Sequence, residues 1–328
     1  MAAATSFRAQ ISANRRNSFL LVLAVIAVLV VLGAAIGYGV TGSITGMVAA
    51  TVVAIVIGVV MALLSYMNGD SLVLAASKAR EVDETTAPQL VNVVREMALA
   101  AGVPMPRVYI IDDSAPNAFA TGRDPKHASV AATTGLLDKL DREELQGVIG
   151  HELSHVRNFD IRFSLMVGVL VGSIALIADM FLRLTFWGGL GRGSRRGSSD
   201  SGGGVQAIIF FVSIILAILA PIAARLVQLA VSRQREYLAD ASSVELTRNP
   251  QGLERALVAI AADQEPLEVA NRATQHLYIV NPVKKLSDRQ MGLFSTHPPV
   301  LDRVNRLRAM TGEPPLTNEE MLRSKGLE

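Results

Sequence analysis

Four stretches of the chain are apolar over the length that a membrane-spanning helix requires. The four stretches are about Phe19–Tyr38, Ile44–Tyr66, Phe163–Leu182 and Val205–Ala224. The first two lie in one long uncharged segment, which GYGVTGSITG divides. A helix rises about 1.5 Å per residue, so each stretch can cross the roughly 30 Å of hydrocarbon in a bilayer. The pattern predicts four transmembrane helices.

The first apolar stretch has an alternative interpretation as a cleaved signal peptide, because Arg8, Arg15 and Arg16 precede it. However, it is longer than the roughly 7–15 apolar residues of such a peptide, and a second stretch follows within a few residues. The sequence therefore predicts a retained transmembrane hairpin at 17–68, preceded by an N-terminal arm at 1–16.

A second pair of spans is predicted at 163–230, around a connector at 188–204. The connector is rich in glycine and serine, which is typical of a flexible linker. The third span contains Asp179 near its end, and Arg183 follows four residues later. These two side chains can form an ion pair where the helix meets the lipid headgroups, so the charge does not exclude a span.

The polar sequence forms two parts, 69–162 and 231–328, on either side of the second pair of spans. In the first part, ETTAPQLVNVVREMALAAGV has the apolar spacing of a helix. PRVYIID, NAFATG and HASVAATTGLLDKL are predicted as short strands, the last of which passes into a helix. DREELQGVIGHELSHVRNFD is predicted as a helix with an acidic first turn, and LVQLAVSRQREYLADASSVEL as another helix after the fourth apolar stretch. The predicted fold class is α+β, mainly helical with a small β-sheet.

Composition supports a membrane location and excludes some kinds of site. The chain is 50% hydrophobic and only 18% charged, which is too apolar for an ordinary soluble domain of this length. It contains no cysteine, so disulfides and thiolate metal ligands are excluded. The formal net charge is +2, and no basic cluster with interleaved aromatic residues indicates nucleic acid. The sequence does not indicate an oligomeric state.

The most informative motif is HELSH, in which His151 and His155 lie one helical turn apart and Glu152 follows the first histidine. Residues at i and i+4 share a helix face, so both imidazoles can reach one tetrahedral zinc ion, as in a zincin. The metal activates a water molecule, and Glu152 can accept its proton and pass it to the leaving nitrogen. The alternative is two ordinary histidines on a solvated helix face, and a third ligand distinguishes these interpretations.

Glu236 is the predicted third metal ligand. A motif extended by a third histidine is absent, because Ile161 stands where that histidine would be. Glu236 is the one glutamate in the sequence with an aspartate four residues later, and Asp240 can therefore accept a hydrogen bond from a ligand histidine. Asp160 can do the same, or else is a surface residue. Two spans separate His155 from Glu236, so both residues are expected on the same side of the membrane.

Several motifs occur in the order found in one known family. The chain resembles the HtpX-type membrane zinc endopeptidases, a bacterial branch related to the CAAX prenyl endopeptidases, over nearly its whole length. The motifs that carry the resemblance are PNAFATG, HELSHVRNFD, REYLADAS and THPPVLDRV, together with the two pairs of spans. The resemblance implies a zincin-like catalytic domain with one zinc ion on His151, His155 and Glu236, and with Glu152 as general base.

The resemblance also implies a peptide-binding strand and a residue that stabilises the oxyanion. NAFATG is similar to the family's edge strand, where an extended peptide adds by main-chain hydrogen bonds beside Asn117, Ala118, Phe119 and Ala120. Asn117 would contact the substrate there, or else is a turn residue after the preceding proline. His297 would lie near the metal and stabilise the tetrahedral oxyanion, or else is a loop residue before two prolines.

The basic residues near the N-terminus predict the orientation in the membrane, and the resemblance implies the substrate class. The basic N-terminal arm favours cytoplasmic termini, so four spans place both catalytic halves on the cytoplasmic side of a bacterial plasma (inner) membrane. By resemblance, the substrates are misfolded or damaged membrane proteins, cleaved in quality control and stress response, with the lipid bilayer as a further partner.

Three alternatives differ from this prediction. One is a dedicated processing protease of the prenyl-protease type, which would cleave a single defined substrate. Another is a non-catalytic zinc-binding membrane scaffold, although a structural zinc site needs no general base such as Glu152. The third is a transporter, which would carry paired ionisable residues in the middle of its spans.

Overall fold

The computed structural model of the chain describes residues 23, 26–161, 174–183, 203–263, 265, 267, 278–279 and 298–323. The chain divides into two compact units. The first unit combines Met1–Met67 with Met166–Gln228, and the second combines Asn68–Leu165 with Leu229–Glu328. Each unit is therefore assembled from two separate stretches of the sequence.

The first unit contains apolar helices. Helix α1 (Ile26–Thr41) belongs to it, and helix α2 (Ile44–Ala76) begins in it and continues past Met67 into the second unit. Within α2 the window Ile44–Met61 is long and apolar enough to cross a membrane. Its large apolar side chains are mostly exposed, as a lipid-facing helix requires, and include Ile44, Val48, Val52, Val53, Val56, Val59 and Val60.

The other three predicted spans receive less support from the described residues. Helix α1 and the segment Phe210–Ala220 are apolar but shorter than a span, and residues 163–173 of the third predicted span lie outside the described part. Among the described residues, one helix therefore meets the criteria for a span, where the sequence predicts four. The predicted ion pair in the third span is confirmed, because Asp179 Oδ2 lies 2.6 Å from Arg183 Nε.

One prediction about helix boundaries is wrong. The sequence predicts the fourth apolar stretch and the following polar segment as two helices, whereas the structure has a single helix of 45 residues, α6 (Gly203–Thr247). Pro221, near the end of the fourth apolar stretch, is the one proline in this helix. A proline removes a single backbone donor, which here does not end the helix.

The second unit contains a four-stranded mixed sheet. The strands are β1 (Arg80–Glu81), β2 (Arg107–Ile111), β3 (Ala118–Gly122) and β4 (Ala128–Thr133), in the spatial order β1-β2-β4-β3. Strands β2 and β4 are parallel, and the other two pairs are antiparallel. The three strands and the following helix α4 (Thr134–Lys139) that the sequence predicts are confirmed, and β3 lies at one edge of the sheet.

Helices cover one face of this sheet. They are α3 (Pro88–Ala101), α5 (Arg142–Arg157), α7 (Pro250–Ala262) and α8 (Val300–Thr311), with a short helix α9 (Asn318–Arg323) after them. Their apolar side chains form one core with the β-strand residues on that face, including Val93, Val130, Leu145, Val148, Leu253, Leu257, Val304 and Leu307. Burial of these side chains is the main force that holds α5, the helix of the HELSH motif, against the sheet.

Local sequence signals mark the end of helix α3 and the start of helix α5. Helix α3 ends at Gly102, whose φ of +66° is readily adopted by glycine. Helix α5 begins with a capping box, in which the Asp141 side chain accepts a hydrogen bond from the Glu144 backbone N–H and the Glu144 side chain accepts one from Asp141. The acidic first turn predicted for α5 is therefore confirmed.

We expect Gly147→Ala to destabilise the second unit, because α5 and α7 touch at this residue. A Cβ at position 147 would lie 2.7 Å from the backbone nitrogen of Leu253. The two helices must separate to admit it, at a cost of about 1–3 kcal/mol in the free energy of unfolding. Thermal unfolding in detergent would show a lower midpoint for Gly147→Ala than for the wild type.

Gly150→Ala is the matched control for this prediction. It lies one turn further along α5, and its new Cβ would meet the side-chain oxygen of Ser243 at 3.0 Å instead of a backbone atom. The higher helix propensity of alanine, about 1 kcal/mol, offsets that smaller strain. Equal midpoints for the two variants would contradict the close contact of the helix backbones.

Candidate metal centre

Three side chains from two helices converge at one point in the second unit. His151 and His155 project from α5, and Glu236 projects from α6. One potential ligand atom from each of the three residues lies within 4.8 Å of the others. His151 is fully buried, and Glu236 is 5% exposed. The structure therefore brings together the three metal ligands that the sequence predicts.

The distances between these atoms fit a tetrahedral metal ion. The Nε2 atoms of His151 and His155 are 3.2 Å apart. The Glu236 carboxylate lies 3.5 Å from the first Nε2 atom and 3.4 Å from the second. Zinc takes nitrogen and oxygen ligands at about 2.0–2.2 Å, so neighbouring ligands of a tetrahedral ion lie roughly 3.3–3.6 Å apart. A donor set of two imidazoles and one carboxylate suits zinc.

The other nitrogen of each histidine meets a carboxylate. His151 Nδ1 lies 2.9 Å from Asp240 Oδ1, and His155 Nδ1 lies 3.2 Å from Asp160 Oδ2. Each Nδ1–H can donate to its carboxylate, which leaves the Nε2 lone pair directed at the ligand point. Asp240 and Asp160 therefore lie where the sequence predicts an orienting carboxylate, and their effect on the metal stays a prediction.

Two buried arginines, which the sequence reasoning missed, contact these carboxylates. Arg303 from α8 donates to both oxygens of Asp240, at 2.7 and 2.9 Å. Arg235 from α6 lies 3.5 Å from Asp160. A signal for Arg303 exists in the sequence, because it shares the core-facing side of α8 with Val304 and Leu307. A charged residue at such a position needs a buried partner.

The electrostatics of the site favour a positive charge at the ligand point. Burial lowers the pKa of His151, but its hydrogen bonds to Asp240 and Glu236 outweigh that effect and raise the pKa above its usual value. For His155, the hydrogen bonds to Asp160 and Glu236 likewise outweigh burial, and the pKa is raised well above its usual value. Burial raises the pKa of Asp240, but the Arg303 charge outweighs it and the pKa is lowered. A metal cation would supply the charge that protons otherwise supply.

Glu152 lies beside the ligands and next to the edge strand. It is 2% exposed, and the backbone of Ala120 in β3 forms a hydrogen bond with its carboxylate. Burial raises the pKa of Glu152 above its usual value, although the neighbouring histidines and that hydrogen bond oppose the shift. A general base works best with a pKa near the working pH, so the environment suits the predicted role.

The predicted peptide-binding residues lie on or next to β3 and are buried. The Asn117 carbonyl accepts a hydrogen bond from the Thr133 N–H, so this part of its main chain faces β4. The Ala118 carbonyl accepts a hydrogen bond from Ile279, at 3.0 Å, and the Ala118 N–H donates to the Asn117 side chain. The ring of Phe119 packs on the other face of the sheet from α5, in a small core. The chain itself therefore already occupies part of this strand edge, which the sequence did not predict. The proposed oxyanion residue, His297, lies outside the described residues.

Two histidines on one helix face, a distant glutamate and a buried carboxylate beside them define the centre of a metallopeptidase. Comparison with known proteins agrees. The chain belongs to the peptidase family M48, whose model matches residues 84–311 and so includes all these side chains.

Relatives identify the branch of the family. A "Protease HtpX homolog" of Streptococcus gordonii is 47% identical over 301 residues, which is 92% of this chain and 99% of that protein. Proteins of the same name from Listeria monocytogenes and Ligilactobacillus salivarius are 46% and 45% identical, with the same shares of both chains. The crystal structure of S. mikatae Ste24p is 19% identical, with a TM-score of 0.45, and the match covers 76% of this chain and 56% of that one. The resemblance to HtpX-type proteases is confirmed, and the chain is a metalloprotease.

Proposed function

We propose that the protein is an integral membrane zinc endopeptidase that cleaves misfolded or damaged membrane proteins at the cytoplasmic face of a bacterial plasma membrane. The observation that carries the proposal is the triangle of His151, His155 and Glu236, with Glu152 held between it and the edge strand. One zinc ion is the proposed metal, because the ligand types and the distances between them suit it.

The proposed reaction divides between the metal and the side chains. Bound zinc would supply a positive charge that makes water more acidic and polarises the peptide carbonyl. Glu152 accepts the proton from the attacking water and then delivers it to the leaving nitrogen. The hydrogen bond from Ala120 holds the Glu152 carboxylate in place. His297, two residues before Pro299, is proposed to stabilise the oxyanion.

Substrate binding is proposed at the free edge of β3. An extended peptide would add there by main-chain hydrogen bonds, which select for backbone and tolerate many side chains. The Ala118 carbonyl is already engaged by Ile279 and the Ala120 N–H by Glu152, so we propose that the peptide pairs mainly beyond them, from the Ala120 carbonyl towards Gly122. Such binding requires an unfolded segment, which suits a protease that cleaves damaged proteins.

The membrane arrangement completes the proposal. We propose that four spans at the positions predicted from sequence form the membrane part, and that residues 69–162 and 231–328 form the cytoplasmic catalytic domain. The exposed apolar surface of α2 supports one of these spans. The basic N-terminal arm supports cytoplasmic termini.

Metal removal tests the proposed activity. We expect the detergent-purified protein to cleave unfolded casein, and treatment with a chelator to abolish cleavage because the three ligands then hold no metal. Added Zn²⁺ restores activity, whereas Mg²⁺ does not, because Mg²⁺ prefers oxygen ligands in octahedral geometry. Cleavage that persists after the metal has been removed, as measured by elemental analysis, would exclude the metalloprotease mechanism proposed for this site.

The substrate class is tested in lipid vesicles. The protease is reconstituted together with a small membrane protein, either folded or destabilised by a core substitution, that carries one and the same exposed loop. We expect faster cleavage of the destabilised protein. Equal cleavage rates for the two forms would contradict a role in quality control, and would favour a processing protease that recognises the loop sequence.

A further inference from the structure

Arg303 connects the metal centre to the edge strand through Ile279. Its side chain is fully buried, and its Nε and Nη2 atoms donate to the two oxygens of Asp240. Its remaining nitrogen, Nη1, donates to the carbonyl oxygen of Ile279 at 2.7 Å and lies 3.7 Å from Glu236. One guanidinium therefore contacts the carboxylate that orients His151 and also a residue paired with β3.

Ile279 and its neighbour Tyr278 form the other end of this connection. The Ile279 N–H donates to the carbonyl oxygen of Ala118 in β3. The Tyr278 ring meets the Phe119 ring edge to face, with centroids 5.2 Å apart, and its hydroxyl lies 3.2 Å from the Ser77 hydroxyl. Both residues are buried, so this two-residue segment is firmly attached to the edge strand.

A second arginine of α8 contacts the same part of α6. The Arg306 guanidinium lies 3.6 Å from the centroid of the Tyr237 ring, and Tyr237 follows the ligand Glu236 directly. Arg303 and Arg306 are three residues apart, on neighbouring positions of α8, and their partners Tyr237 and Asp240 are also three residues apart. Helix α8 therefore holds the ligand-bearing turn of α6 at two points.

We propose that Arg303 is a positioning residue that holds the metal-ligand carboxylates and the peptide-binding edge strand at a fixed distance from each other. The proposal rests on the proposed function, because it concerns how the metal and the peptide meet. The planar guanidinium has five donors, which lets it bind two oxygens of a carboxylate and a carbonyl group at once. A lysine can keep the charge beside Asp240 but cannot bind all three oxygen atoms in this geometry.

The competing explanation is that Arg303 contributes only to stability, as any buried ion pair would. Arg308 provides a matched control for that explanation. It lies on the same helix α8 and also binds both a carboxylate and a carbonyl, namely Glu254 at 2.7 Å and Pro314 at 2.7 Å. The groups that Arg308 contacts lie outside the metal centre and the edge strand, and Arg308 is also less buried than Arg303.

The test compares Arg303→Met, Arg303→Lys and Arg308→Met in the full-length protein in detergent. Zinc affinity is measured by competition with a chromogenic chelator, KM and kcat are measured separately on a fluorogenic peptide, and the unfolding midpoint is recorded. We expect Arg303→Met to bind zinc about 10- to 100-fold more weakly, because Asp240 loses its partner. Arg308→Met lowers the unfolding midpoint but leaves zinc affinity and KM near the wild-type values.

Arg303→Lys separates the effect of Arg303 on the metal centre from its effect on the edge strand. We expect it to retain most of the zinc affinity and kcat, since a charge remains beside Asp240, while KM rises about tenfold through loss of the hydrogen bond that holds Ile279 on the edge strand. If Arg303→Met does not fold, this variant alone decides, through its KM at full zinc occupancy. Unchanged KM in Arg303→Lys, or wild-type zinc affinity in Arg303→Met, overturns the proposal. Zinc affinity is measured without catalysis, so the zinc result can contradict the positioning role of Arg303 while the proposed function still holds.

Discussion

Glu152→Gln is expected to abolish peptide cleavage while the protein keeps its metal. The glutamine amide cannot accept and release a proton, and loss of general base catalysis typically lowers the rate by about a hundredfold to ten-thousandfold. Glu152 is not one of the three clustered ligands, so zinc content should stay at about one ion per chain. The measurements are kcat on a fluorogenic peptide and zinc by elemental analysis.

Glu143→Gln is the control for this variant. Glu143 also lies on α5 but is exposed, and it pairs with Arg255 at 3.1 Å, away from the ligands. We expect it to keep wild-type activity, since an exposed ion pair contributes little. A Glu152→Gln protein that cleaves at the rate of Glu143→Gln would rule out Glu152 as the base. Loss of zinc from Glu152→Gln would instead mean that this residue belongs to the coordination shell.

Glu236→Ala is expected to remove both zinc binding and activity, because two histidines alone make an incomplete site. The clearest readout is thermal unfolding with and without zinc. A ligand that binds only the folded state stabilises it by about 2.7 kcal/mol when its concentration is 100 times Kd. The unfolding midpoint of the wild type should therefore rise with zinc, whereas that of Glu236→Ala should stay constant.

Glu245→Ala is the matched control on the same helix α6, where Glu245 is exposed. It should retain the zinc-dependent shift of the midpoint. If Glu236→Ala shows the same shift as Glu245→Ala, another residue provides the third ligand. This outcome would contradict the assignment of Glu236 while leaving the two histidines as ligands.

Much of the secondary structure near the site follows from local patterns in the sequence. Asp141 and Glu144 mark the start of α5, and Gly102 marks the end of α3, because capping depends on residues only a few positions apart. The shared face of His151 and His155 likewise follows from the helical repeat alone. The prediction of α6 as two helices was wrong because a change from apolar to polar sequence does not by itself end a helix, and Pro221 does not end it either.

In the candidate site as well, features carried by residues close in the sequence were predicted, and contacts between residues far apart in the sequence were missed. Glu236 was predicted as a ligand because a local feature, the aspartate four residues later, distinguishes it from every other glutamate in the sequence. Arg303 was missed, since its partners Asp240 and Ile279 lie far away in the chain. The contact between Ile279 and Ala118 was missed for the same reason.

The sequence by itself determined the helix that carries HELSH, the strands of the sheet, the apolar stretches and the identity of the three potential ligands. These features depend on the order and spacing of residue types within short segments of the sequence. Only the tertiary structure decided which partner each buried charged side chain meets: Arg303 meets Asp240, Arg235 meets Asp160, and Glu152 meets the Ala120 backbone. The reason is physical, because a buried charge requires a partner, but that partner can come from any segment that packing brings near.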